Sequence, residues 1–312
     1  MQLAITIEGQ RGLTWGKLKV FAPAVEALGF SGLFRSDHFV DADPPDLPAL
    51  ELWVTLTWLA EHTHKLRIGS LVTPFSFRHP VHTARMAQDL NDLSGGRFTL
   101  GVGAGWDGAS REHAMFGFDL LETKERLNRY EEGLEVVSSL LKKDEPVTFT
   151  GKYYQLQEAR LVPAPERVGR PQIMVGGNGA GRILRLAARY ADEWNAINRT
   201  PAQVIDLTQR LDALLDENQR PRQSVKRSQM KTLVFGMDQV DLDRRLGQRK
   251  TIELQEQGAL AGCAAEVVEQ LDQLVEAGVE QVVVQWPDID AIDRLEVFSH
   301  RVLEPAAILR KN

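Results

Sequence analysis

The chain has 312 residues, 43% of them hydrophobic and 26% charged, with a formal net charge of -6. This composition belongs to an ordinary globular protein, long enough to bury about 75% of its unfolded surface, and its acidic balance excludes the basic footprint that nucleic-acid binding requires. Cys263 stands alone, so no intrachain disulfide can form, and no apolar run approaches the ~18 residues of a membrane span.

The amino terminus, MQLAITIEGQ, lacks the basic and apolar regions of a signal peptide, so a cytoplasmic protein is expected. Short β-rich runs then alternate with amphipathic helices along the chain. The strand candidates are LAITI (3–7), GLFRS (32–36), LRIGSLV (66–72), RFTLGV (97–102), QIMVG (172–176), EWNAI (193–197), KTLVFG (231–236) and QVVVQW (281–286). They are apolar without clean alternation, which marks strands covered on both faces and therefore parallel.

Helices are expected between them, over 15–28, 80–93, 126–143, 181–190 and 264–278. In the last, Val267, Val268, Leu271, Leu274 and Val275 form one stripe and Gly278 supplies a stop. Strand and helix repeated about eight times predict a (β/α)₈ TIM barrel in a single domain, 1–312; a doubly wound open sheet is the alternative. One segment breaks the rhythm. Residues 145–165, EPVTFTGKYYQLQEARLVPAP, predict a hairpin turning at Gly151–Lys152 with a Pro-rich return, so a helix pair and a hairpin form an insertion between strands four and five.

In a parallel barrel the site lies where the strands end. Asp37 and His38 follow strand two, and Thr73 follows strand three. GVGAGW, Gly101 to Trp106, closes strand four, and VGGNGAG precedes a helix after strand five. Glycines before a helix start let backbone N–H groups approach an anion, so Gly177, Asn178 and Gly179, with Arg182 nearby, suit a phosphate; a tight βα-turn explains the same glycines. Asp192 and Glu193 come too early for the ribose-binding acid of a dinucleotide fold, which disfavours nicotinamide. The glycines around Ala104, ending on Trp106, suit close approach by a flat ring or a bend at a barrel corner. As neighbours at a strand end, Asp37 and His38 point to different sides. His62 and His64 have no supporting cysteine or cluster of acids, so no metal is expected. His79 can reach the rim, whereas His82 reads as a plain helix residue.

The segments GLFRSDHF, GSLVTPFSFRHP, LSGGRFTLGVGAGW, FTGKYY, GGNGAGRILRLAARYADEWN and AGVEQVVV together resemble the luciferase-like monooxygenase superfamily, and within it the branch of oxidoreductases dependent on the deazaflavin coenzyme F420. The resemblance runs in register through nearly the whole chain. It implies a barrel with a flavin-type ring across its carboxyl rim, with Asp37, His38, Ser70, Leu71, Thr73 and Gly103, Ala104, Gly105 and Trp106 around that ring. Gly176, Gly177, Asn178 and Gly179 would take the phosphate. It further implies a non-prolyl cis peptide at Ser70–Leu71, a proton-exchanging role for His38 beside the ring, a small-molecule substrate and a homodimer.

Two positions depart from the sugar-phosphate dehydrogenases of this branch. Trp106, followed by Asp107, stands where those enzymes carry a catalytic glutamate, and Val40, Asp41 and Ala42 offer no tryptophan after the Asp–His pair. A sugar phosphate is therefore not the expected substrate. The implied function is hydride transfer between F420 and a small organic molecule. The alternatives are an FMN-dependent monooxygenase and a flavin-binding barrel without chemistry.

Overall fold

The computed structural model describes residues 1–142, 145–162 and 169–308. Eight parallel strands close into a barrel: β1 Gln2–Ile7, β2 Gly32–Arg35, β3 Arg67–Ser70, β4 Phe98–Gly103, β5 Gln172–Gly176, β6 Glu193–Ile197, β7 Lys226–Phe235 and β8 Gln281–Gln285. Each pairs with the next in chain order, and β8 returns to β1 in the register Leu3↔Val282 and Ile5↔Val284. The fold is a (β/α)₈ TIM barrel.

Both faces of these strands are apolar because each meets a different core. Ala4, Phe34, Leu71, Met174 and Val283 pack together inside the barrel. Leu3, Ile5, Leu33, Ile68, Leu100 and Ile173 instead join the large cluster shared with the surrounding helices. Burying an aliphatic side chain is worth about 1.5–3 kcal/mol, so this outer shell supplies most of the driving force.

Two strand boundaries correct the sequence reading. β7 begins at Lys226, five residues before the expected Lys231. Its first turns are polar, KRSQ, and look like loop in sequence; in the fold Ser228 accepts a hydrogen bond from Asn195, and Arg227 pairs with Asp212. A short strand at Leu260–Gly262, unanticipated, pairs with the carboxyl half of β7. Between β4 and β5 lie helices Ser110–Phe116 and Thr123–Lys142 and the antiparallel pair Val147–Thr150 and Gln155–Ala159. The turn at Gly151 is held by Glu132, whose carboxylate accepts from the N–H groups of Lys152, Tyr153 and Tyr154. Lys143 and the Pro-rich return from Pro163 to Pro165 lie outside the described residues.

The amino end of the barrel is tied shut by one side chain. From the start of β3, Arg67 donates to Gln281 of β8 at 2.9 Å, Thr99 of β4 at 2.8 Å and Gln172 of β5 at 2.9 Å. Its ion pair with Glu193 of β6 spans 3.0 Å. Among the described residues, no helix is long and apolar enough to cross a membrane.

Candidate functional site

At the opposite end, the strand termini surround a cavity of about 440 Å³, within the range of small-molecule sites. His38 from the end of β2, Leu71 and Val72 after β3, Gly103 to Trp106 after β4, and Gly176 and Gly177 after β5 all line it. The imidazole and the glycine turn thus share one chamber.

On its wall, two strands end in glycines that make room for the Val72 side chain. A Cβ at Gly103 would sit 2.4 Å from Val72 Cγ2, and one at Gly176 2.8 Å from Val72 Cγ1. Trp106, 55% exposed, stands at the mouth, and its ring lies over Gly108, where a Cβ would come within 2.1 Å of it.

Asp37 and His38 diverge, as adjacent residues of an extended chain must. The Asp37 carboxylate is buried and accepts from Thr73 Oγ1 at 2.6 Å and from Arg78, which also pairs with Glu51. Burial pushes the Asp37 carboxyl up, while Arg78 and the Thr73 hydroxyl pull it back. Asp37 therefore stitches the β2 and β3 loops together.

His38 turns the other way. Its Nδ1 lies 2.9 Å from Oε2 of Glu112, a carboxylate only 2% exposed, whose Oε1 accepts from the N–H groups of Phe39 and Val40. Burial works against a charged imidazole, but the hydrogen bond and charge of Glu112, joined by Glu8 and Asp37, outweigh it and raise the His38 pKa above the ordinary histidine value. Glu112 was invisible in sequence. The helix Ser110–Phe116 is seven residues long, and its acid reads as solvated unless the partner at 38 is known.

Several expected residues sit elsewhere. Ser70 does not line the cavity; its hydroxyl donates to Gly101 O at 2.8 Å and locks β3 to β4. Thr73 acts on Asp37 and is likewise behind the wall. The non-prolyl cis peptide is Leu71–Val72, one residue later than the expected Ser70–Leu71. Asn178 and Gly179 lie outside the cavity wall, and the Asn178 amide is occupied by both the N–H and the carbonyl of Ile197. Arg182 is engaged by Glu131 and Asn128 and is no free phosphate ligand. The N–H groups of Gly179, Ala180 and Gly181 make no hydrogen bond among the described residues, and they open the helix Arg182–Tyr190. His79 caps its helix by accepting from Val81 N. Among the described residues, no group of three or more acids, histidines or cysteines is placed to hold a metal.

The sequence matches the family described as luciferase-like monooxygenase over residues 4–252. The chain belongs to that family. This luciferase-like chain is 32% identical over 176 residues to 4-hydroxyprotoasukamycin monooxygenase of Streptomyces nodosus subsp. asukaensis, covering 56% of itself and 45% of that protein. It is 34% identical over 178 residues to F420-dependent glucose-6-phosphate dehydrogenase of Kineococcus radiotolerans, covering 57% of itself and 51% of the relative. It therefore spans about half the length of these curated relatives. A solved F420-dependent secondary alcohol dehydrogenase, holding an F420-acetone adduct, superposes with a TM-score of 0.82 at 19% identity over 98% of both chains, which establishes the shared fold.

The residues of this luciferase-like barrel suit the flavin-type group its family implies. A planar ring needs an apolar wall, and Leu71, Val72 and Gly103 to Gly105, all lining the cavity, provide one. An anionic tail needs unspent donors, and the N–H groups of residues 179–181 at a helix start provide those.

Proposed function

We propose that this chain is an oxidoreductase that moves hydride between coenzyme F420 and a small organic substrate. The observation that carries this reading is the cavity that His38, the Leu71–Val72 segment and the strand-end glycines Gly103 and Gly176 line together. Leu71, Val72, Gly103 to Trp106 and Gly176 would hold the ring, Asp37 would brace its surround through Thr73 and Arg78, and the backbone N–H groups of Gly179 to Gly181 would hold the phosphate. When bound, the deazaflavin supplies a carbon centre that gives or takes hydride and reacts little with oxygen.

The protein's part is to place and hold a proton. Glu112 accepts from Nδ1 of His38, so the neutral ring keeps Nε2 free to take a proton from, or return one to, a substrate oxygen. The raised pKa keeps the protonated form available near neutrality. Trp106 would cover the mouth and bear on substrate choice. A homodimer belongs to this reading through the family alone.

A second reading is an FMN-dependent monooxygenase, favoured by the 32% identity to the Streptomyces monooxygenase. Fluorescence titration of the pure protein with F420 and with FMN separates the two: the proposal expects F420 to bind, and His38→Ala to keep that binding while losing about 100-fold or more in turnover. Tight FMN binding with oxygen uptake supports the monooxygenase. Binding of neither cofactor by the folded protein would leave a barrel without this chemistry.

A further inference from the structure

A second hollow of about 290 Å³ adjoins the ring cavity at the carboxyl ends of β7 and β8. Glu8, Arg11 and Gln285 belong to both walls, so the two spaces meet across these side chains. One side of the hollow is apolar, formed by Leu233, Val234 and Trp286; the other carries Arg245 and Arg249.

The charges in this hollow are unevenly satisfied. Arg245 is spent on Asp241 and Asp288, and Arg11 pairs through Nε with Asp41 at 2.9 Å. Arg249 has no carboxylate within ion-pair reach among the described residues. Its Nε donates to Leu246 O at 3.2 Å and its Nη2 to Arg245 O at 2.7 Å, which orients the guanidinium and leaves Nη1 unspent. Glu8, in the shared wall, makes no close ion pair among the described residues, although its charge acts on His38; Gln10 and Gln285 donate one amide bond to each of its oxygens, at 3.0 and 2.8 Å. An anion is therefore drawn toward Arg249 and repelled from the partition at Glu8. A single guanidinium without a carboxylate, with Glu8 in the same wall, favours one negative charge over the two of a phosphate.

We infer that this hollow seats a carboxylate carried by the substrate. The carboxylate lies on the Arg249 guanidinium, through the Nη1 that its backbone bonds leave free. The hydrocarbon body packs on Leu233, Val234 and Trp286, and the reacting end extends past Glu8 into the chamber lined by His38. The inference rests on the oxidoreductase reading for what happens to the molecule, not for its binding.

The test is calorimetric titration of the full chain with hexanoate, hexanol and inorganic phosphate, repeated on Arg249→Gln and with saturating F420. The expected result is hexanoate binding at least about tenfold tighter than hexanol or phosphate, with Arg249→Gln losing about tenfold for hexanoate and leaving hexanol unchanged. An unaffected Arg249→Gln, preferred phosphate, or no hexanoate binding overturns the inference. Hexanoate binding abolished by saturating F420 also overturns it, because the cofactor's own carboxylate tail then fills the hollow. A protein that binds hexanoate in this pattern but not F420 refutes the oxidoreductase reading and leaves the carboxylate seat standing.

Discussion

His38 and Glu112 meet at 2.9 Å although 74 residues separate them, one closing β2 and the other on a short helix after β4. A carboxylate can only accept, so it fixes the proton on Nδ1 and sets the imidazole's orientation at once. Glu112→Gln puts an amide N–H where that acceptor stood, which reverses the tautomer and removes the charge that raises the histidine pKa. We expect the His38 titration, followed by NMR, to move down. The pair's stabilising contribution is fully present below about pH 6.5, the ordinary histidine value, and is lost as pH rises through the raised folded value. Urea unfolding should therefore show a gap between wild type and Glu112→Gln that is constant below about pH 6.5 and narrows as pH rises through the raised folded value; a gap that does not change with pH would remove the ion pair from the account. Glu112→Ala also strands the N–H groups of Phe39 and Val40, at about 1–3 kcal/mol.

Gly103→Ala places a methyl 2.4 Å from Val72 Cγ2. Overpacking of this kind costs about 1–3 kcal/mol, and here it pushes on Val72, which itself lines the cavity. Cofactor affinity, read by fluorescence, should drop about tenfold or more, and Val72→Ala in the same chain should restore part of it. Equal affinity in the single variant contradicts a role for this Val72–Gly103 contact in shaping the ring site.

Arg78→Leu leaves the Asp37 carboxylate buried with only Thr73 for company. Removing one member of a buried pair typically costs about 3–5 kcal/mol, and chemical denaturation should show a loss of that order. Arg78→Lys keeps the charge but not the fork that reaches both Asp37 and Glu51, so an intermediate loss is expected.

Lys231, 2% exposed, donates to the carbonyls of Arg199 and Gly258. Burial, with the nearby Arg199, lowers its pKa to about 7. The unfolded chain then holds the proton more tightly than the folded one between about pH 7 and the ordinary lysine value near 10.5, so stability rises with pH across that window. Relative to Lys231→Met, the wild type should gain about 1 kcal/mol or more between pH 7 and pH 9. No change in the difference would mean the amine stays charged in the fold.

The architecture was legible because strands covered on both faces and amphipathic helices carry different periodicities, and β5 and β6 fell on the expected residues. The start of β7 was hidden because its polar residues satisfy one another across strands, a pairing that no local pattern records. Asp37 and His38 stood out by position, and the structure brings them to the cavity. Glu112, Arg78 and the displacement of Asn178 toward Ile197 depend on contacts between distant segments, which a single sequence does not display.

The knot of hydrogen bonds that Arg67 ties across five strands has a consequence for traffic. With that end tied and the barrel interior packed, the chamber is reached from the carboxyl rim alone among the barrel's two ends. A molecule resting against Val72 would then be shielded from solvent by one that arrives after it.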